Sequence, residues 1–258
     1  SLPRCLEDSL GNFEINWQLW WLDVFVGLSL LGVFALLVGG TYLLIGDLAD
    51  EERRDTLNFI RLSPQSAQSI LLGKLLGVPI LLYIVVGLAV PLQLWAGLSA
   101  QLPPGLIFGF LGLVLASCVF FYSAALLFGL VSNWLGGFQA WLGSGAVCLF
   151  FSIASFKTIA HTPSDWLNLF SPFLILKEAI AATNIDYSSE FPISTNLEWF
   201  YLPFGANILT ALALALINFG IWTYWSWQAL QRRFSNPGET ILSKGQSYLL
   251  VACFGVTL

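Results

Sequence analysis

The sequence predicts an all-α, polytopic transmembrane helix bundle, and three observations carry that expectation. Of 258 residues, 57% are hydrophobic and only 10% are charged, against about 25% charged in an ordinary soluble domain. The mean hydropathy is +0.78. The shortage of charge runs along the whole chain, which excludes a single anchor attached to a soluble body. The apolar stretches amount to about five complete spans plus a partial one at the C-terminus.

A bilayer core takes about 20 apolar residues in helical form. Residues 24–46 supply 23 without a charge, preceded by Trp17, Trp20 and Trp21, a grouping that suits the membrane interface. Residues 75–156 then contain no Asp, Glu, Lys or Arg over 82 positions, which is the length of three spans. Turn residues divide this run: Pro103 and Pro104 within 97–105, then Asn133, Gly136 and Gly137 within 132–138. The spans are expected at 75–95, 106–131 and 139–156, with Pro79 and Pro91 kinking the first.

Residues 157–198 differ in kind. They hold His161, Asp165, Lys177, Glu178, Asp186, Glu190 and Glu198, interrupted by Pro163, Pro172 and Pro192. The semi-apolar patch 166–182 is too short for a comfortable span and reads as either a re-entrant or a surface helix. Residues 199–231 give one long uncharged span with an aromatic cuff of Trp222, Tyr224, Trp225 and Trp227, ended by Arg232 and Arg233. From Gln246 the sequence is apolar again but stops short of a span. The chain lacks methionine altogether, and residues 1–17 lack the basic and apolar regions of a signal peptide. Both ends are therefore expected to be cuts in a longer protein.

Orientation follows from Lys and Arg near the span ends. Arg53, Arg54, Arg61 and Lys74 follow the first span; Arg232, Arg233 and Lys244 follow the last. Four spans separate these two segments, so both face one side, expected to be the cytoplasm. The loop 157–198 and residues 1–16 face outward.

The dense run of charge lies at 47–74, with Asp47, Asp50, Glu51, Glu52, Arg53, Arg54, Asp55 and Arg61 followed by Lys74. A short helix is expected over 50–62. Ser63 and Pro64 end it and start a second run, Ser as N-cap and Pro at the first helical position. On the first helix Leu57 and Ile60 form one apolar pair, with Phe59 and Leu62 on the opposite side. Such a helix is either clamped between its own membrane domain and a second body, or a surface helix resting on headgroups.

Glu52-Arg53-Arg54-Asp55-Thr56-Leu57, then Leu62-Ser63-Pro64, then Gly73-Lys74 at the start of a span, resembles the cytosolic loop of ABC-2 type transporter permeases. Asp55 stands where that family commonly has Gly. The resemblance implies an ABC-2 type permease fold over 1–245 that lacks its first span, with 246–258 beginning a further apolar segment. It also implies that the loop holds a coupling helix seated in a separate ATPase subunit, through Glu51, Glu52, Arg53, Arg54, Asp55, Thr56, Leu57, Arg61, Ser63, Pro64 and Lys74. ATP would be bound by that partner, a second permease would complete the pathway, and the membrane would be a prokaryotic plasma (inner) membrane. The uncharged spans, rich in Phe, Leu and Trp, favour an amphipathic or lipid-linked cargo.

Other chemistry finds little support in the residues. No G-x-x-x-x-G-K-[ST] run occurs, so ATP hydrolysis is not expected of this chain. One histidine leaves no two-histidine metal or haem site, and no metal or cofactor is expected. No basic cluster suits nucleic acid. No charge falls inside an expected span, which disfavours a proton relay. Cys118, Cys148 and Cys253 sit in apolar sequence as small core residues, and Cys5 has no pairing motif. Gln93, Gln139, Asn207 and Asn218 are expected to meet neighbouring helices. The competing function is a membrane-embedded enzyme or assembly factor with its site in the outward loop 157–198, using His161, Asp165 and Glu178.

Overall fold

A computed structural model describes residues 5–7, 13–62, 64–155, 164–181, 208–236, 238 and 240–257. Ser63, His161, Asn207, Pro163, Pro192 and the acidic residues 186, 190 and 198 lie outside this set. Among the described residues, five helices are long and apolar enough to cross a membrane: Trp17–Arg53, Ile80–Ser99, Pro104–Val131, Trp134–Ile153 and Leu209–Ser235. The chain is an integral membrane protein.

A three-residue antiparallel pair, β1 (Cys5–Glu7) and β2 (Phe13–Ile15), precedes the helices, with Leu6 opposite Glu14. The first span is longer than its uncharged segment. It begins at Trp17, takes in Asp23, and continues through α1 (Trp17–Val33), a π-turn (Phe34–Gly39) and α2 (Gly40–Arg53). At 1.5 Å per residue those 37 residues reach about 55 Å, so its charged last turns extend past a hydrocarbon core of about 30 Å. Then come α3 (Thr56–Arg61), α4 (Ala67–Gly77), α5 (Ile80–Ser99) and α6 (Pro104–Val131). A 3-10 turn (Asn133–Phe138) leads into α7 (Gln139–Ser155). The patch 166–182 forms two short helices, α8 (Ser164–Asn168) and α9 (Phe173–Ala181). Helices α10 (Ile208–Ser235) and α11 (Lys244–Thr257) complete the described elements.

Two prolines act as their chemistry dictates. Pro79 separates α4 from α5, so the expected span 75–95 is in fact the end of one helix and most of the next. Proline has no N–H to donate to the carbonyl four residues back, here that of Leu75. The Tyr83 hydroxyl donates to that oxygen instead, at 2.9 Å. Pro104 opens α6 at the position where a missing N–H costs least. The turn before it closes α5: Gln101 takes a left-handed conformation (φ 62°), Leu102 N–H donates to Gly97 O and Gln101 N–H to Leu98 O, both at 3.0 Å. That pair of bonds is a Schellman cap.

The chain divides into two compact units. The first comprises residues 1–33, 85–114 and 152–215. Phe25 meets Phe110 edge to face at 6.3 Å, and Gln93 Nε2 donates to Ser29 Oγ at 2.8 Å. The polar residue in α5 thus meets a neighbouring helix, as its position in an apolar span requires. In α8 and α9, Trp166, Phe170, Phe173, Leu174, Ile175 and Leu176 are all buried.

The second unit comprises residues 34–84, 115–151 and 216–258. Here Ile45, Ala125 and Ala140 form a buried cluster with Phe128 against it. The π-turn is the notable local feature. Tyr122, fully buried, donates its hydroxyl to Leu36 O at 2.7 Å. Its ring lies so close to Gly40 that a Cβ there would overlap the phenol. A side chain inserted at a carbonyl is one of the recognised causes of an irregular turn within a helix.

Substituting Gly40→Ala should therefore destabilise the protein by about 1–3 kcal/mol through overpacking. Gly46→Ala, six residues along the same helix in open space, should be neutral or stabilising by up to about 1 kcal/mol. Thermal unfolding of the two variants in one detergent checks the pair.

Candidate functional site

The charged run gathers at one end of the second unit. Asp47 and Glu51 stand four residues apart in α2 and so share a face. Lys74, from α4, places Nζ 2.6 Å from Asp47 Oδ2 and 2.6 Å from Glu51 Oε1. The lysine side chain is only 10% exposed, the two carboxylates 36% and 21%. Lys74 and Glu51 are thus engaged inside the protein, where they join the two helices that flank the loop. One ammonium faces two carboxylates, and Glu51 Oε2 is buried without a hydrogen-bond partner.

The helix expected over 50–62 is two helices. α2 runs to Arg53, and the chain then breaks at Arg54 and Asp55. Asp55 adopts φ 54°, the left-handed region that Gly enters freely and Asp tolerates better than most residues. Asp55 N–H donates to Glu52 O at 3.1 Å, and the Thr56 hydroxyl donates to Glu51 O at 3.1 Å. Together they satisfy carbonyls left open at the end of α2. The next helix start also differs from expectation. Pro64 lies in an exposed bend, and the N-cap of α4 is Ser66, whose Oγ accepts from Ser69 N–H at 3.2 Å. Ser63 lies outside the described residues.

The two faces of α3 separate as their spacing requires. Leu57 is buried, while Phe59 is 79% and Leu62 84% exposed. Arg61 sits over the ring of Phe234 in the last turn of α10, 5.5 Å from its centre. Burial lowers the Arg61 pKa; the Glu52 charge opposes that shift and Arg233 adds to it. Gln68 Nε2 donates to Gln231 Oε1 at 3.4 Å. The segment after the first span therefore meets the end of the last, a contact beyond the shared side that the distribution of basic residues led one to expect. Seven of the eight Lys and Arg among the described residues belong to this unit.

Arg54, Asp55 and Thr56 are exposed, and Glu52 is partly so. Arg53 pairs loosely with Asp50 at 3.9 Å, both more than half exposed, a contact worth little. The Arg53 guanidinium also lies across Gly137, where a Cβ would collide with it. The turn 133–138 is a participant that the sequence did not assign to this end. Its Trp134 is 82% exposed. The Gly136-Gly137 pair marked a turn, but its approach to Arg53 is a tertiary contact without a local pattern.

The candidate residues of the segment 157–198 are less assembled. Asp165 lies in α8 and Glu178 in α9, and His161 is outside the described residues. Burial raises the Glu178 pKa and lowers that of Lys177. Among the described residues no three His, Cys, Asp or Glu side chains are grouped as metal ligands would be. Cys118 is buried, in keeping with a core role. Comparison of the chain with protein-family models, with curated proteins and with solved structures finds no match.

Removing Lys74 leaves two carboxylates facing each other in a partly buried site. Lys74→Met should cost about 1–3 kcal/mol, less than a fully buried pair because Asp47 reaches water. The triple variant Lys74→Met, Asp47→Asn, Glu51→Gln should regain most of that loss. Asp55→Gly should stabilise by a few tenths of a kcal/mol, up to about 1. Chemical denaturation of each purified variant in detergent measures all three.

Proposed function

We propose that this chain is a membrane-spanning permease subunit of an ATP-driven ABC-2 type exporter, coupled to a separate ATPase through the loop 54–66. The observation that supports this best is α3. It is a one-and-a-half-turn helix set off by a bend on each side. Its inner face holds Leu57 in the protein and its Arg61 on Phe234, while Phe59 and Leu62 project from the other side. Large apolar side chains so exposed at a charged end favour a second body over water.

The resemblance of 52–74 to the family loop supports the same reading. The left-handed Asp55 stands where that family commonly has Gly, a residue suited to such a backbone. The concentration of Lys and Arg in this unit supports a cytoplasmic position for the loop by the positive-inside rule, on the side where ATP is available. In this reading the partner presses on α3, and the Asp47–Lys74–Glu51 contact passes the displacement to α2 and α4 together. A second permease completes the pathway, and the cargo is amphipathic or lipid-linked.

Purification of the tagged protein from native membranes in mild detergent tests this directly. An ATPase subunit should accompany it, with vanadate-sensitive hydrolysis. Arg54→Ala with Phe59→Ala should reduce that co-purification at least about tenfold, since an exposed aromatic anchor at an interface is commonly worth 2 kcal/mol or more. A protein that purifies alone, with no nucleotide turned over, counts against the coupling role.

A further inference from the structure

Between the last turns of α2 and the turn 133–138 lies a cleft of about 230 Å3, lined by Ala49, Glu52, Arg53, Gly136 and Gln139. Several features make it a built site. Ala49, Glu52 and Arg53 are spaced i, i+3, i+4 on one helical face. Gly136 takes φ 59° and Gly137 has no side chain, so the turn passes close to Arg53 without filling the space. Gln139 is buried, with its side-chain amide 3.1 Å from Ser132 Oγ, and of the two N–H groups that its NH2 carries at least one remains to donate. The lining therefore offers a carboxylate, a guanidinium and an amide donor side by side.

That set complements a small zwitterion. An anionic phosphate suits the planar donors of Arg53 together with the Gln139 NH2, and a primary ammonium suits Glu52. The volume is below that of a drug-sized pocket, about 300 Å3 or more, and fits a headgroup. The surroundings favour a lipid as its source. Tyr42 lies two turns before Ala49 on the same face, about 10 Å along the helix, and packs edge to face with Trp141 at 5.2 Å. Trp141 is 65% and Phe138 60% exposed. An exposed aromatic pair beside a polar cleft is the arrangement of a membrane interface.

We infer that this cleft binds the headgroup of an aminophospholipid, phosphate on Arg53 and Gln139, ammonium on Glu52, with the acyl chains along Tyr42 and Trp141. The inference does not depend on the transport reading. Phosphatidylglycerol lacks the ammonium and brings only negative charge to Glu52. Phosphatidylcholine has a quaternary nitrogen without N–H groups to donate.

The test is native mass spectrometry of the delipidated full chain, titrated with phosphatidylethanolamine, phosphatidylglycerol and phosphatidylcholine of identical acyl chains. Phosphatidylethanolamine should bind roughly tenfold more tightly than either, the equivalent of one charge-assisted hydrogen bond. Glu52→Gln should abolish that preference while phosphatidylglycerol binding holds or rises. Arg53→Ala should weaken all three lipids. Equal binding of the three lipids to the unaltered protein overturns the inference, as does a preference that survives Glu52→Gln. Water-soluble phosphoethanolamine distinguishes the source: if it competes at the same concentration as the lipid, the site takes a free zwitterion and the lipid assignment fails.

Discussion

The apolar phase gives a backbone polar group nowhere to go but back into the protein, and much of this structure answers to that constraint. In hydrocarbon an unsatisfied carbonyl or hydroxyl costs several kcal/mol. The hydroxyls of Ser29, Thr41, Ser123 and Ser144 accordingly each donate to a carbonyl three or four residues earlier in their own helix, at 2.7–2.8 Å. At two interruptions of the regular ladder a tyrosine hydroxyl supplies a donor. Tyr83 serves the carbonyl that Pro79 cannot. Tyr122 reaches across from α6 to the carbonyl of Leu36 in the π-turn. The two tyrosine rings lie 6.2 Å apart, so both irregularities are served from one place in the second unit.

At the charged end the governing term is electrostatic. Two carboxylates one turn apart repel, and an ammonium from the facing helix resolves that only if it stays between them. Lys74 therefore sets the separation of α2 and α4, and with it the span available to the loop that joins them. Within that span the chain makes two turns, one through the left-handed Asp55 and one through the bend at Pro64. The short α3 is what remains between them. Arg61 on Phe234 and Gln68 on Gln231 fasten the same end to α10. A short helix held on its inner face and exposed on its outer one is a rigid handle, and that rigidity underlies the proposed coupling role.

Two kinds of surface are thus side by side. The outer face of α3 offers apolar groups beside charge, as a protein partner would require. The cleft at Glu52, Arg53 and Gln139 offers paired opposite charges beside aromatics, as a lipid headgroup would require. Glu52 and Arg53 belong to both neighbourhoods, so lipid in the cleft would hold the last turn of α2 in place beside the loop.

The sequence by itself determined the helical class, the integral membrane character and the count of about five spans. Those follow from apolar run length and the placement of charge, which are additive along a chain. The opposed faces of α3 were legible for the same reason, since periodicity is local. Boundaries were less so: the helix at 50–62 breaks at Arg54 and Asp55 because a left-handed residue ends α2 there, and Ser66 caps α4 although Ser63 and Pro64 carry the stronger local pattern. Only tertiary structure decided that Lys74 and Glu51 turn inward. A charged side chain in a loop looks solvated until a partner from another helix is placed against it, and the partner is 23 residues away in sequence. The π-turn, the Tyr122 bond and the Arg53–Gly137 approach are likewise products of packing, joining residues more than 80 positions apart that no local pattern connects.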